Sequence, residues 1–255
     1  MCYHFTRSVE TADRMKSKIE ELEKRGFIAN GIELKYSVAS FEQRKELLKS
    51  NLPCERTLGA KLLGTYPDLK VIDCLIETFI QEKKLYTKIE LSNSLVTFGK
   101  DAVIPLIQLL GKIGNNRHTA ISETDFRKKS YPLPRDIAGR TLIRIGSIAL
   151  PDLEMGLKSK DVSMLSELID AIGFICFYDP QPNLLGELKY CFFRNEQNEL
   201  IKWKIYRAMS AFPESLLFLK GQHVKEENSL LKREIERSLS FWKLVLISEG
   251  FTITG

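Results

Sequence analysis

The sequence predicts an all-α fold, a right-handed stack of antiparallel helix pairs, and three observations carry that prediction. Apolar residues recur at three- and four-residue spacing along most of the chain, the period of helices with one buried face. Two of these runs, before Gly99 and Gly146, stop at a glycine, and a second apolar run opens two or three residues later. The layout then recurs. From Leu63 to Leu95, Leu142, Ile172, Met209 and Leu239, the central residues of successive first helices, the intervals are 32, 47, 30, 37 and 30 residues. Three of these suit one helix pair with its turns, and two carry insertions.

Residues 1–52 read as an N-terminal helical cap. Residues 8–25 suit one helix, with Ala12, Met15, Ile19 and Leu22 on one face and Arg25-Gly26 as its stop. Asn30-Gly31 between apolar residues is a turn signal, compatible with a short hairpin. Ser40 is placed to cap a further helix reaching about Ser50, with Gln43 completing a capping box.

Residues 53–247 carry the repeats, and 248–255 form a C-terminal tail. The predicted pairs are 54–66 with 68–83, 86–98 with 101–113, 134–146 with 148–158, 162–177 with 182–194, and 199–211 with 213–221. A closing helix covers about 228–247. Gly99 and Gly146 end first helices, because glycine takes a left-handed backbone without a Cβ penalty. Pro105 and Pro151 fall in the opening turn of the second helix, where a missing N–H is tolerated. Small residues such as Ser92, Ala138 and Gly139 allow close packing. In the closing helix Lys232, Arg233, Glu236, Arg237 and Lys243 are expected outside, with Leu231, Ile235, Leu239 and Trp242 inside, as an end cap requires.

Phe98-Gly99-Lys100-Asp101-Ala102-Val103-Ile104-Pro105-Leu106 and the run from Arg135 to Leu153 carry a resemblance to the HEAT-like repeat superfamily. It is nearest to the short repeats named after phycobilisome lyases, and it extends over about three quarters of the chain. What the resemblance implies is a solenoid whose stacked pairs present an extended surface to another macromolecule.

Composition limits the alternatives. With 44% apolar and 28% charged residues over 255 positions, the balance is that of a soluble globular protein, and a net charge of +5 is mild. Apolar runs are interrupted by charge before reaching membrane-spanning length, and the N-terminus lacks a signal-peptide layout. A cytoplasmic protein without a membrane segment is expected. The five cysteines contain no Cys-x-x-Cys pair and form no even set, so reduced thiols are expected, with Cys74 and Cys176 among aliphatic residues.

Catalytic motifs are wanting. Deoxyhypusine hydroxylase, a HEAT-repeat enzyme, holds two irons through His-Glu dipeptides; the three histidines here precede Phe5, Thr119 and Val224. No Gly-rich phosphate loop, nucleophile elbow or metal-spaced cluster occurs, so no cofactor or metal is expected. Nor is there a residue cluster that would carry over phycobilin lyase activity. Met1 to Thr6 resembles the opening of the SRAP family, in which the second-position cysteine captures abasic sites in DNA. That similarity spans six residues, and about fifty are too few for the whole domain.

The predicted role is non-catalytic: an adaptor or scaffold that binds a protein partner. On the expected groove helices, Asp73, Glu77, Gln108, Glu154 and Glu187 stand beside Lys158, Lys189 and Arg194. The alternative is a nucleic-acid-binding or DNA-modifying HEAT-like protein, which would need a stripe of about six to ten phosphate contacts that this mixture does not offer. The 47-residue interval contains an extra segment, Asn115 to Pro134, with a net charge of +2. Its Arg127, Lys128, Lys129 and Tyr131 combine charge with an aromatic anchor and are expected to contact the partner. Around a second insertion, Phe177 to Asn183, the residues Phe174, Phe177, Tyr190, Phe192 and Phe193 read mainly as core. Tyr190 and Arg194, four apart on one helix face, are the pair expected to turn outward. The expected partner-binding set is therefore Arg127, Lys128, Lys129, Tyr131, Glu77, Gln108, Glu154, Tyr190 and Arg194.

Overall fold

The computed structural model describes residues 18–66, 68–128 and 130–248, with side chains described through residue 241. These residues are helical or in loops and turns, and no strand occurs among them. The chain divides into two compact units, 1–102 and 103–255.

In the first unit, residues 18–23 are helical (α1), and the chain turns at Arg25-Gly26 as the sequence predicts. After Asn30-Gly31 the backbone enters a 3-10 turn, Ile32–Tyr36, rather than a hairpin. Helix α2, Phe41–Lys49, opens on the predicted capping box: Gln43 N–H donates to Ser40 Oγ (3.3 Å), and Ser40 N–H donates to Gln43 Oε1 (2.8 Å). Helices α3 (Pro53–Leu63), α4 (Lys70–Gln81) and α5 (Leu85–Thr97) follow. Helix α3 lies between α2 and α5 and buries Leu58, Leu62 and Leu63 with Leu48, Leu75, Phe79, Leu91 and Leu95.

The approach of α2 to α3 is close enough to demand glycine. A Cβ on Gly59 would lie 2.5 Å from the Leu48 backbone nitrogen. Polar residues bind the turns to this core. Arg56 makes a bidentate pair with Glu82 (2.8 and 3.1 Å) and also donates to Ser50 O at 2.9 Å. Glu82 in turn accepts from the Lys83 and Lys84 backbone N–H groups, both at 2.8 Å. Hydrogen bonds from Arg56 hold the Glu82 carboxyl below its ordinary pKa although burial pushes it up.

In the second unit α6 (Val103–Leu109) precedes a long loop, then α7 (Ile137–Ile145), α8 (Leu150–Gly156), α9 (Val162–Tyr178), α10 (Leu184–Arg194), α11 (Glu199–Ala208), α12 (Leu216–Lys225) and α13 (Ser229–Ser248). Asp136, Asp161 and Asn198 cap α7, α9 and α11 through side-chain oxygens. Gly146 ends α7 with φ 82°, and Gly99 follows α5 with φ 52°, so both take the positive-φ backbone that glycine adopts without a Cβ penalty. Pro105 and Pro151 lie in the first turns of α6 and α8. Alternate helices pack in chain order, α7 on α9, α9 on α11 and α11 on α13, while α6 packs on α7 and α8. Helix α9, in the middle of this row, buries Leu165, Leu168, Ile169, Ala171, Ile172 and Cys176. Burial pushes the free Cys176 thiol up to about 12, an inert group; Cys74 is only half-buried.

The closing helix departs from the expected pattern. Leu231 and Ile235 are buried, Leu239 is half-buried, and Arg233 and Glu236 face solvent, but Lys232 is half-buried and Arg237 is buried. The reason is a partner. Arg237 donates to Glu234 Oε1 (2.7 Å) and to Ser130 O (2.9 Å), so its charge is matched inside. The Trp242 and Lys243 side chains lie outside the described residues.

Candidate functional site

Two groups of residues stand out in the second unit: exposed side chains on α8, α10 and α12, and the loop between α6 and α7 with the charges beneath it.

Helix α10 joins its neighbours through side chains. Arg194 Nη2 donates to Leu157 O, just past α8, at 2.5 Å, while its guanidinium carbon stands 5.1 Å from the Tyr190 ring centre. Phe192 and Phe193 meet Phe218 of α12 edge-on, with ring centres 5.3 and 6.0 Å apart. Phe192 is buried and Phe218 half-buried, and the outward rings are Tyr190 (59% exposed) and Phe193 (56%). Phe193 was expected in the core. Met155 on α8 (70% exposed) and Leu217 on α12 (81%) are exposed as well. Among the charged residues of these helices, Lys158 is exposed, and Glu154, Glu187 and Lys189 are half-buried. Gln108 is exposed on α6, beside the exposed Ile104. Glu77 is exposed on α4 in the first unit, in the wall of a groove with Lys45, Lys49 and Arg56.

The loop from Asn115 to Pro134 is not a free basic arm. Its 3-10 turn, Glu123–Arg127, aims Asp125 inward, where the carboxylate is 1% exposed. Four nitrogens surround it at ion-pair distance: Arg207 Nη2 at 3.1 Å, His118 Nε2 at 3.2 Å, Lys128 Nζ at 2.9 Å and Arg135 Nη2 at 3.7 Å. On the outside, Arg233 of α13 covers the Phe126 ring at 4.7 Å. Tyr131, expected as an exposed anchor, is 2% exposed, packed on Phe174 and Phe177 with its hydroxyl against Gly173. It belongs to the core because the loop folds back across α9. Arg127 and Lys128 remain exposed, though Lys128 is held by Asp125; Lys129 lies outside the described residues, as does Cys2.

Beneath the loop is a buried cluster of charges that sequence reasoning missed. Lys204 Nζ pairs with Asp170 Oδ2, donates to His118 Nδ1 (2.9 Å), and lies 3.9 Å from Glu167 Oε1. That assignment leaves Nε2–H of His118 to face Asp125. Arg207 lies between Asp125, Asp170 (3.8 Å) and Glu234 (3.7 Å), with its guanidinium carbon 4.1 Å from the Trp203 ring centre. Trp203 Nε1–H donates to Glu234 Oε2 at 2.8 Å.

The electrostatics follow from burial and pairing. Burial drives the Asp125 carboxyl upward, but the hydrogen bonds from His118 and Lys128 and the Arg207 charge outweigh it and hold it well below the carboxylate range. Burial keeps His118 below its ordinary value, against the pull of Asp125. Glu167, buried beside Asp170, is pushed up to about 7, with Lys204 opposing. As folded, these side chains present almost no surface to a substrate, and their immediate role is to fasten loop, α9, α11 and α13 together. Among the described residues no group of His, Cys, Asp and Glu is arranged to hold a metal ion.

The cluster had a signal in the sequence. Glu167 and Asp170 interrupt the apolar run of α9 at a three-residue spacing, and Lys204 and Arg207 do the same in α11. Charges on an inward helix face at matching spacing are the mark of a paired interior.

No family model matches the chain, and no curated protein matches it. Among solved structures it is similar to an engineered protein from a structural-genomics consortium, at 14% identity with a TM-score of 0.36. The alignment covers 86% of this chain, which spans 62% of the length of that engineered protein. A likeness at that level carries nothing further. Among the described residues no helix is long and apolar enough to cross a membrane.

Proposed function

We propose that the chain is a HEAT-like repeat protein, a right-handed solenoid of helix pairs, that holds a protein partner on the exposed face of its second helices. In support, α7, α9, α11 and α13 pack in chain order, as stacked repeats require, and the turn glycine and proline of α7 and α8 have the expected backbone roles. The observation that carries the functional reading is the exposure of Met155, Tyr190, Phe193 and Leu217 on three linked helices. Large apolar side chains grouped on one face mark an interaction surface, and aromatic residues with arginine are enriched at protein contacts. Arg194, stacked on Tyr190, supplies that combination, and Arg127 on the loop is a further exposed cation.

The test is a pull-down from native cytosol with mass spectrometry, comparing the wild type with Tyr190→Ala/Phe193→Asp. The partner is expected to disappear with the double variant while the melting curve is unchanged. Retention of the same partner by the variant would refute the reading. A salt-dependent shift with duplex DNA, lost in Lys158→Ala/Lys189→Ala, would replace it with the nucleic-acid alternative.

A further inference from the structure

Helix α2 in the first unit has oppositely charged flanks. Lys45 and Lys49 line a polar groove of about 640 Å3 with Arg56, Glu77 and Glu82. The other flank borders a separate groove of about 720 Å3, lined by the apolar Tyr36, Val38 and Leu47 and by the acidic Glu42, Glu46 and Glu55. Lys35 is the one basic residue on that lining.

Two features set this second groove apart from ordinary surface. Val38 is 94% exposed, yet its backbone is fastened on both sides. Arg44 donates to Ser37 O (3.2 Å) and Ala39 O (2.9 Å), reaches Leu62 O at 2.7 Å, and covers the Tyr66 ring at 5.2 Å. A half-buried arginine thus fixes a valine out in water, next to the exposed Leu34 (73%). An apolar side chain held rigidly outward is prepared for contact at little further cost in order. Second, Glu42 and Glu46 are exposed and make no ion pair among the described residues. They are four apart on one helix, so their carboxylates line the same wall.

We propose that this groove, distinct from the face on α8, α10 and α12, docks a basic amphipathic segment of a partner protein. An apolar side chain of that segment sits over Val38 and Leu47, and lysines or arginines one helical turn apart meet Glu42 and Glu46. Charge complementarity selects this occupant. The acidic rim repels phosphate-rich surfaces, which excludes nucleic acid and anionic membrane as the favoured ligand.

The experiment uses the full chain and two labelled helical peptides, one with leucines and lysines at four-residue spacing, the other with glutamates for the lysines. In fluorescence anisotropy the lysine peptide is expected to bind and the glutamate peptide to bind about ten-fold more weakly or not at all. Glu42→Lys/Glu46→Lys should reverse that preference, and Val38→Asp should weaken the lysine peptide about ten-fold without moving the melting temperature. Equal binding of both peptides, or no effect of either variant, overturns the proposal. So does self-association of the chain that Val38→Asp abolishes, which would make a second copy the occupant. A Val38→Asp shift in the NMR signals of residues 1–17 overturns it too, since the chain would then fill its own groove.

Discussion

Arg207 Nη2 lies 3.1 Å from Asp125 Oδ2, with both side chains almost entirely removed from water. One acid of a loop that reads as a solvated basic insertion therefore closes an interior ion pair with a helix far along the chain. Removing one member of such a pair is costly, because the other is left charged and unmatched.

Asp125→Ala should accordingly destabilise the second unit by about 3–5 kcal/mol, read as a fall in the urea midpoint. Amide exchange across residues 115–134 should accelerate more than elsewhere, since the loop loses its attachment to Arg207 and His118. A loss below about 1 kcal/mol would mean that the loop is held by Tyr131 and Arg237 instead.

Stability against pH should show two opposed contributions. His118 is depressed in the fold, so the unfolded chain takes up its proton first, and stability falls as pH drops below the ordinary value near 6.5. Glu167 is raised to about 7 from 4.5, so the fold keeps a proton that the unfolded chain has lost, and stability falls as pH rises from 4.5 to 7. Each slope is at most about 1.4 kcal/mol per pH unit. Glu167→Gln should remove the second, giving a variant that gains relative to wild type at pH 7 over pH 5. A wild-type-like profile in Glu167→Gln, measured by urea unfolding at both values, would show that this carboxyl ionises normally.

Tyr131 has a buried hydroxyl with no hydrogen-bond partner among the described residues, lying against Gly173. Removing an unsatisfied buried polar atom returns its desolvation penalty, so Tyr131→Phe should stabilise by about 1 kcal/mol. Tyr131→Ala should cost about 3–5 kcal/mol by emptying the space between Phe174 and Phe177. Thermal unfolding separates the two, and a destabilised Phe variant would reveal a partner for the hydroxyl.

In the first unit, Gly59→Ala would force a Cβ into the Leu48 backbone and push α2 from α3. A loss of about 1–3 kcal/mol is expected in denaturant titration, and the contact between the Phe41 and Tyr66 rings, whose centres lie 5.4 Å apart, should be disturbed. Unchanged stability would mean that the helices separate freely.

The helices were legible because periodicity and end signals are local. Ser40 with Gln43, and Gly146 before Pro151, specify their turns through bonds and dihedrals within a few residues. Tyr190 and Arg194 were legible as an outward pair for the same reason. Phe193, Tyr131 and Arg237 were not. Their environment depends on which helix or loop lies opposite, and that is decided by residues far away in the chain. The ion cluster was invisible to composition, because a lysine in an apolar helix reads as solvated until its carboxylates on another helix are found.

That cluster also has a consequence for how an array of similar helices keeps its order. Leucine seams are nearly interchangeable, so such helices could slide by one turn or exchange neighbours at small cost. Here Glu167 and Asp170, Lys204 and Arg207, and Glu234 sit on three alternate helices, α9, α11 and α13. Any slip strands a charge in hydrocarbon or sets like against like, so the grouping acts as a key that admits a single alignment.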